Sequence, residues 1–286
     1  MSPRSTLAIF GAVLVAALGA GAGVGSVVGP FGDGVLADGS VVAADAAPTT
    51  EADLPSGLSM IENGYRFVPQ DRLADQGRFT FTIVGPDGAA VRDFDVVHDR
   101  ELHLIVASTD LQHYAHVHAD RDPDGLWTTE LPQLPPGGYR AFADFKPAGG
   151  TKHTLGIDLM VPGMAEAPVA LQVRDHTSVD GFDVTVHTAA TSASGSEVVV
   201  TVRRNGATVL TEPYLGAAGH LVALRDGDLA YLHVHPLDDA PKGPVSFAIE
   251  VPSAGTYGLF FEFQVDGVVH TARFVMNFGE GATHAH

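Results

Sequence analysis

Tyr114-Ala115-His116-Val117-His118 is answered by Tyr231-Leu232-His233-Val234-His235, and the displacement between the two stretches is 117 residues. Working outward, the same displacement links His103 to His220, His153 to His270, Leu104 to Leu221 and Gly64-Tyr65 to Gly181-Phe182. Tyr139 and Tyr257 lie 118 apart, which marks a one-residue slip in a loop. Self-similarity at a fixed period on this scale is an internal duplication. The stretch itself places two imidazoles at i and i+2, and on a β-strand alternate residues share one face.

The surrounding sequence reads as all-β. Arg78 to Ile83 alternates polar and apolar residues and ends at Pro86-Asp87-Gly88, and Val198 to Arg203 ends at Asn205-Gly206, a strong hairpin signal. Leu102 to Ser108 and Leu221 to Leu224 precede acidic turns. Each copy closes on a hairpin, Tyr139–Phe145 with Lys152–Met160 and Tyr257–Val265 with Val268–Met276. Glycine and proline together make 51 of 286 residues, which suits many short strands. We therefore expect two tandem Greek-key β-sandwiches of immunoglobulin or cupredoxin type, following an N-terminal hydrophobic helix.

The expected order along the chain is a signal peptide or membrane anchor over 1–32 and a flexible linker over 33–58. Repeat 1 follows over 59–161, a connector over 162–180, repeat 2 over 181–278 and a His-containing tail over 279–286. Arg4 precedes an apolar stretch from Leu7 to Val28, 22 residues and long enough to span a bilayer. An uncleaved anchor is favoured, with the bulk of the chain outside the cytoplasm; secretion after cleavage is the alternative. Any contact with the membrane is assigned to this segment. The formal charge of −18 argues against nucleic acid as a partner. There is no cysteine, which removes disulfides, iron–sulfur clusters and thiolate copper or zinc sites.

Eight of the fourteen histidines occupy matched positions: His103, His116, His118 and His153 in the first copy, His220, His233, His235 and His270 in the second. Three or four neutral imidazoles suit copper, zinc or nickel, and copper binds tightest in the Irving–Williams order. The competing reading is structural, because a duplication copies packing residues as readily as ligands. Asp144 and Glu262 occupy matching strands, but a two-residue Asp266-Gly267 turn would set Phe263 opposite His270 and turn Glu262 to the other face. These carboxylates are weak ligand candidates, or outer partners that hold an imidazole. Tyr114 and Tyr231 share the histidine face and read as packing residues, an axial phenol being the alternative. His98 and His113 lie near enough to the first copy's set to assist. With ordinary imidazoles, metal binding should weaken as pH falls through about 6.5.

The run His98-Asp99-Arg100-Glu101-Leu102-His103-Leu104, then Asp110-Leu111, then His116-Val117-His118, resembles a bacterial family of secreted or membrane-anchored proteins, many of them actinobacterial, labelled heavy-metal or copper-associated. Its pattern is His-(Asp/Glu)-(Lys/Arg)-x-x-His-Leu, Asp-Leu, His-x-His-Pro. The second copy carries the ending His233-Val234-His235-Pro236 but has Leu215 in the place of His98, and the first copy has Ala119 in the place of the proline. The resemblance covers most of residues 90–276 and implies an extracytoplasmic, copper-associated β-sandwich with no defined reaction. The function expected is binding of copper first and zinc second, to sequester the ion or deliver it to a membrane metal transporter or metalloenzyme. A cell-surface adhesion module with structural histidines is the alternative, and an enzyme with a mononuclear metal centre stays open. No nucleophile elbow, His-Glu-x-x-His helix or phosphate-binding glycine loop is present.

Overall fold

A computed structural model describes residues 55–72, 77–192, 195–237 and 243–279, with the side chains of 190–192 and His233 outside that set. The expected N-terminal anchor, nearly all of the linker and the His-containing tail beyond Gly279 lie outside the described residues. Every named element is a strand. In the first copy the strands are β1 Ile61–Glu62, β2 Tyr65–Pro69, β3 Arg78–Val84, β4 Leu102–Ser108, β5 Tyr114–Val117, β6 Asp120–Arg121, β7 Leu126–Glu130, β8 Gly137–Phe145 and β9 His153–Val161. In the second they are β10 His176–Val179, β11 Phe182–Ser192, β12 Gly195–Arg204, β13 Ala207–Thr208, β14 His220–Arg225, β15 His233–Pro236, β16 Val245–Glu250, β17 Gly255–Val265 and β18 Val268–Phe278.

Each copy is a two-sheet sandwich. The first pairs a β1-β2-β3-β7-β6 sheet with a β5-β4-β8-β9 sheet. The second pairs a β10-β11-β12-β16-β15 sheet with a β14-β17-β18 sheet. With β2 or β11 taken as strand A, these are the ABED and CFG layers of the immunoglobulin topology, with an added C′ strand in the first copy. Tyr139 donates its phenol to Pro135 O at 2.9 Å and Tyr257 to Ser253 O at 2.7 Å. Both sit near the start of strand F, as in the tyrosine corner of that fold. The Asn205-Gly206 and Asp266-Gly267 turns form as the sequence implies, with positive φ at all four residues.

The sandwich interiors are apolar and aromatic: Phe67, Phe79, Phe81, Trp127 and Phe145 in the first copy, Phe182, Phe247, Phe261, Phe263 and Phe274 in the second. A third buried cluster joins the copies, built from Ile105, Ala107, Leu111 and Phe142 of the first and Val222, Leu224, Leu229, Tyr231 and Phe260 of the second. Tyr114 stacks on Phe260 with centroids 4.2 Å apart, and its counterpart Tyr231 meets Phe142 at 5.5 Å. Matched residues thus make matched contacts, as in an isologous interface. The CFG sheets are therefore covered on both faces, which is why β4 reads as seven consecutive buried residues. Chain entering the first copy also passes between the two, since Tyr231 N donates to Ser56 O and Gly57 N to Thr154 O, each at 2.8 Å.

Candidate metal centre

Antiparallel register decides which histidines meet. Residues directly opposite one another share a face. On β4, Ile105 pairs with His116 and Leu104 with Val117, so His103, Ile105, His116 and His118 all belong to the face turned toward the other copy. His103 pairs with Asp144 and His220 with Glu262, which puts both carboxylates on that same inter-repeat face. His153 pairs with Phe145 and His270 with Phe263, on the opposite, interior faces.

The inter-repeat face gathers an imidazole cluster. His103 Nδ1 lies 3.1 Å from His116 Nε2, and the His118 ring is centred 5.3 Å from His103 and 4.8 Å from His116. From the second copy, His220 stacks on His103 at 5.5 Å and lies 4.8 Å from the His116 ring. Glu262, 4% exposed, reaches across the interface to place Oε2 2.5 Å from His116 Nδ1 and 3.7 Å from His220 Nδ1. Among the described residues, two overlapping groups can hold a metal ion: His103, His116 and His118, and His116, His220 and Glu262.

Proton accounting sharpens this picture. A carbonyl and a carboxylate only accept. His103 Nε2 lies 3.0 Å from Val97 O and therefore carries a hydrogen, and His116 Nδ1, against Glu262, carries another. In neutral rings the facing atoms, His103 Nδ1 and His116 Nε2, are then both bare lone pairs. Two lone pairs at 3.1 Å repel unless a proton or a metal cation lies between them. Cis nitrogens around one ion with bonds of about 2.0–2.1 Å lie roughly 2.9 Å apart in a square plane and roughly 3.3 Å apart in a tetrahedron. The observed separation falls between the two. His118 Nε2 and His220 Nδ1 are buried and have no hydrogen-bond partner.

Burial disfavours the charged form of four rings, His98, His103, His118 and His220. Desolvation, followed by the neighbouring imidazoles, lowers the His103 pKa to about 4 and that of His118 to about 3. It carries His220 well below the ordinary value and lowers His98 as well. The sequence expectation that protons compete near pH 6.5 shifts downward accordingly.

His98 joins the edge of the cluster, its ring 6.2 Å from His103 and 6.1 Å from His220. It sits at φ 50° in a tight turn closed by Val97 and Arg100, the same turn that presents Val97 O to His103. His113 lies in the exposed β4–β5 turn. His153 and His270, matched in sequence, stand outside the cluster. His153 Nδ1 pairs with Glu62 and His270 Nδ1 with Asp180, each at 2.8 Å, and their rings pack on Tyr65 and Phe145 or on Phe182 and Phe263. They are interior histidines pinned by a carboxylate in the opening hairpin of each copy. His235 is exposed, and of His233 only the backbone is described.

Glu262 is the residue that sequence reasoning undervalued. The argument that it faces away from His270 was sound, but His270 is not in the cluster. Facing away from His270 is facing toward His116 and His220. Tyr114, stacked on Phe260, and Tyr231, tilted against Phe142, pack in the apolar contact beside the cluster.

Fold and site together define a tandem immunoglobulin-type β-sandwich protein with a histidine–carboxylate cluster between its repeats. The chain belongs to the family described as a domain of unknown function (DUF8832), which matches twice, over residues 63–163 and 177–280. No curated protein matches it. Among solved structures it is similar to a DUF4426 family protein from Pseudomonas aeruginosa, at 11% identity over 36% of this chain and 94% of that one, with a TM-score of 0.27. It is also similar to a tetra-tandem repeat in the extending region of a large adhesion protein (14% identity, 73% of this chain, TM-score 0.24) and to the FN1–FN3 domains of chicken CNTN1 (12% identity, 73% of this chain, TM-score 0.20). The chain spans 47% and 64% of those last two.

Proposed function

We propose that this protein binds a transition metal outside the cytoplasm, copper first and zinc second, and sequesters the ion or hands it to a membrane transporter or metalloenzyme. The observation that carries the reading is the pair of nitrogens on His103 and His116 that face each other 3.1 Å apart, with the outer nitrogen of each ring tied to Val97 O or Glu262. Metal-ligating histidines are oriented in this way, by an acceptor on the second nitrogen. The donor set is imidazole with carboxylate behind it and no thiolate, and for such nitrogen donors copper stands above zinc in the affinity order. We assign binding rather than turnover, since the cluster is buried between two sheets. The extracytoplasmic placement rests on the apolar segment near the N-terminus.

The test is titration of the untagged full-length chain with Cu(II) and Zn(II), beside His103→Ala and His116→Ala variants. Tight binding that both variants abolish is the expected result. Binding no tighter than in the variants would return the histidines to a packing role, and an interaction module would become the better reading.

A further inference from the structure

Two equal copies should build two equal sites, yet the cluster is lopsided at three points. The first is strand placement. His116 sits on β5, paired with β4 of the CFG sheet, whereas the backbone at its counterpart His233 pairs with Glu250 of β16, in the other sheet. Only Tyr231 keeps the bridge to β14, through Leu224. The His-x-His segment of the second copy has therefore been carried into the ABED layer.

The second point is the carboxylate. Glu262 and Asp144 hold equivalent places, opposite His220 and His103. Glu262 crosses the interface to His116. Asp144 is one methylene shorter, and both its oxygens are engaged inside its own copy. Oδ2 lies 3.0 Å from the Lys152 ammonium, and Oδ1 accepts the Thr154 hydroxyl at 3.2 Å. A lysine at that position is specific to the first copy, whose counterpart in the second is Val269. The third point is the turn that supports the cluster, His98-Asp99 in the first copy and Leu215-Gly216 in the second; both turns have positive φ and the same closing bridge. Both metal-capable groups among the described residues contain His116.

We propose that the duplicated chain holds one ion between its repeats, not one in each. The first repeat supplies His103, His116 and His118 as nitrogen donors, the second supplies His220 and, as the positioning carboxylate, Glu262, and the Lys152 ammonium takes the mirror position. This rests on the reading of the cluster as a metal site. The second copy has ceased to be a separate binder and has become the outer wall of the first copy's site. Its carboxylate makes Nδ1 of His116 the protonated nitrogen and leaves Nε2 for the ion.

The experiment is native mass spectrometry and calorimetry of the full chain with Cu(II) and with Zn(II), on wild type, Glu262→Asp, Glu262→Gln and Asp144→Asn. One tightly held ion per chain is expected in the wild type. Glu262→Asp, too short to reach His116, should weaken binding roughly 10- to 100-fold, as loss of an outer-shell partner does. Asp144→Asn should change affinity by no more than about twofold, because the carboxylate oxygens it alters are held by Lys152 and Thr154 and not by an imidazole of the cluster. A readout independent of metal is the nitrogen-15 spectrum of the metal-free protein. His116 should appear as the Nδ1-protonated tautomer in the wild type and lose that preference in Glu262→Asp. If that variant misfolds by circular dichroism, Glu262→Gln keeps the volume and removes the charge. Two ions of comparable affinity, or equal losses from the Asp144 and Glu262 variants, would overturn the proposal and leave metal binding intact. So would a Glu262→Asp protein with wild-type affinity and tautomer. Absence of any bound ion would instead remove the metal reading, and this one with it.

Discussion

A neutral imidazole has one N–H and one lone pair, so the partner of one nitrogen sets what the other can do. Val97 O and the Glu262 carboxylate make that choice for His103 and His116, and both choices aim a lone pair at the same point. Loss of either ring should cost more than the roughly 10- to 100-fold typical of an outer partner, which titration of His103→Ala and His116→Ala would measure. Burial also sets the pH behaviour. The folded-state pKa of His103 is about 4 against an ordinary value of 6.5, so the folded chain binds fewer protons than the unfolded chain between those values. The stability linked to this ring is complete above pH 6.5 and is lost as pH falls toward 4. His118, at about 3, acts in the same direction. Urea melts of the metal-free protein across that window should show a falling free energy of unfolding. Metal occupancy should persist below pH 6.5 and fail nearer the folded-state values.

At the level of the strand, the deciding fact is that a one-residue step reverses the face. His153 and Thr154 are neighbours, yet one packs on Tyr65 and Phe145 while the other bonds Asp144 beneath the inter-repeat face. His270 and Thr271 repeat the pattern, with Thr271 opposite Glu262. Substituting His153 or His270 by Ala should therefore cost about 0.5–3 kcal/mol, chiefly through lost packing, since the carboxylates of Glu62 and Asp180 stay open to water. Metal affinity should stay within about twofold, since these rings share no partner with the cluster. Denaturant melts and metal titration of the same two variants would separate the effects. Equal loss of metal binding from either variant would place these rings in the site after all. The uninterrupted apolar run Leu104 to Ala107 was the available signal that this strand is covered on both faces, which alternation alone would not demand.

For the molecule as a whole, the cluster exists because two CFG sheets are packed against each other, and the apolar contact beside it holds that packing. Phe260 stacks on Tyr114, two residues from His116, and pairs with Val222 two residues from His220. Phe260→Ala should destabilise the chain by about 3–5 kcal/mol and weaken metal binding with it. Calorimetric unfolding paired with titration would detect the coupling; destabilisation with unchanged affinity would show that the cluster does not depend on the interface. Because the ligands and their positioning carboxylate come from both copies, an ion held there would bind the folded form in preference to the unfolded one. Its concentration at 1,000 times Kd should add about 4 kcal/mol of stability, a rise in Tm that a chelator reverses.

The duplication, the strands, the tight turns and the His-x-His pairs follow from spacing along the chain, because side-chain alternation and turn chemistry are local properties. Local periodicity likewise located Glu262 on its face of β17. What lies on the far side of that face is a matter of tertiary contact between residues more than a hundred positions apart. That contact separated His103, His116, His118 and His220 from His153 and His270, and it made a buried carboxylate the partner of an imidazole in the other copy. It also placed two identical His-Val-His segments in different layers, by pairing one with β4 and the other with β16. Sequence repeats carry the symmetry of their origin, whereas strand pairing and the reach of a single methylene broke it here.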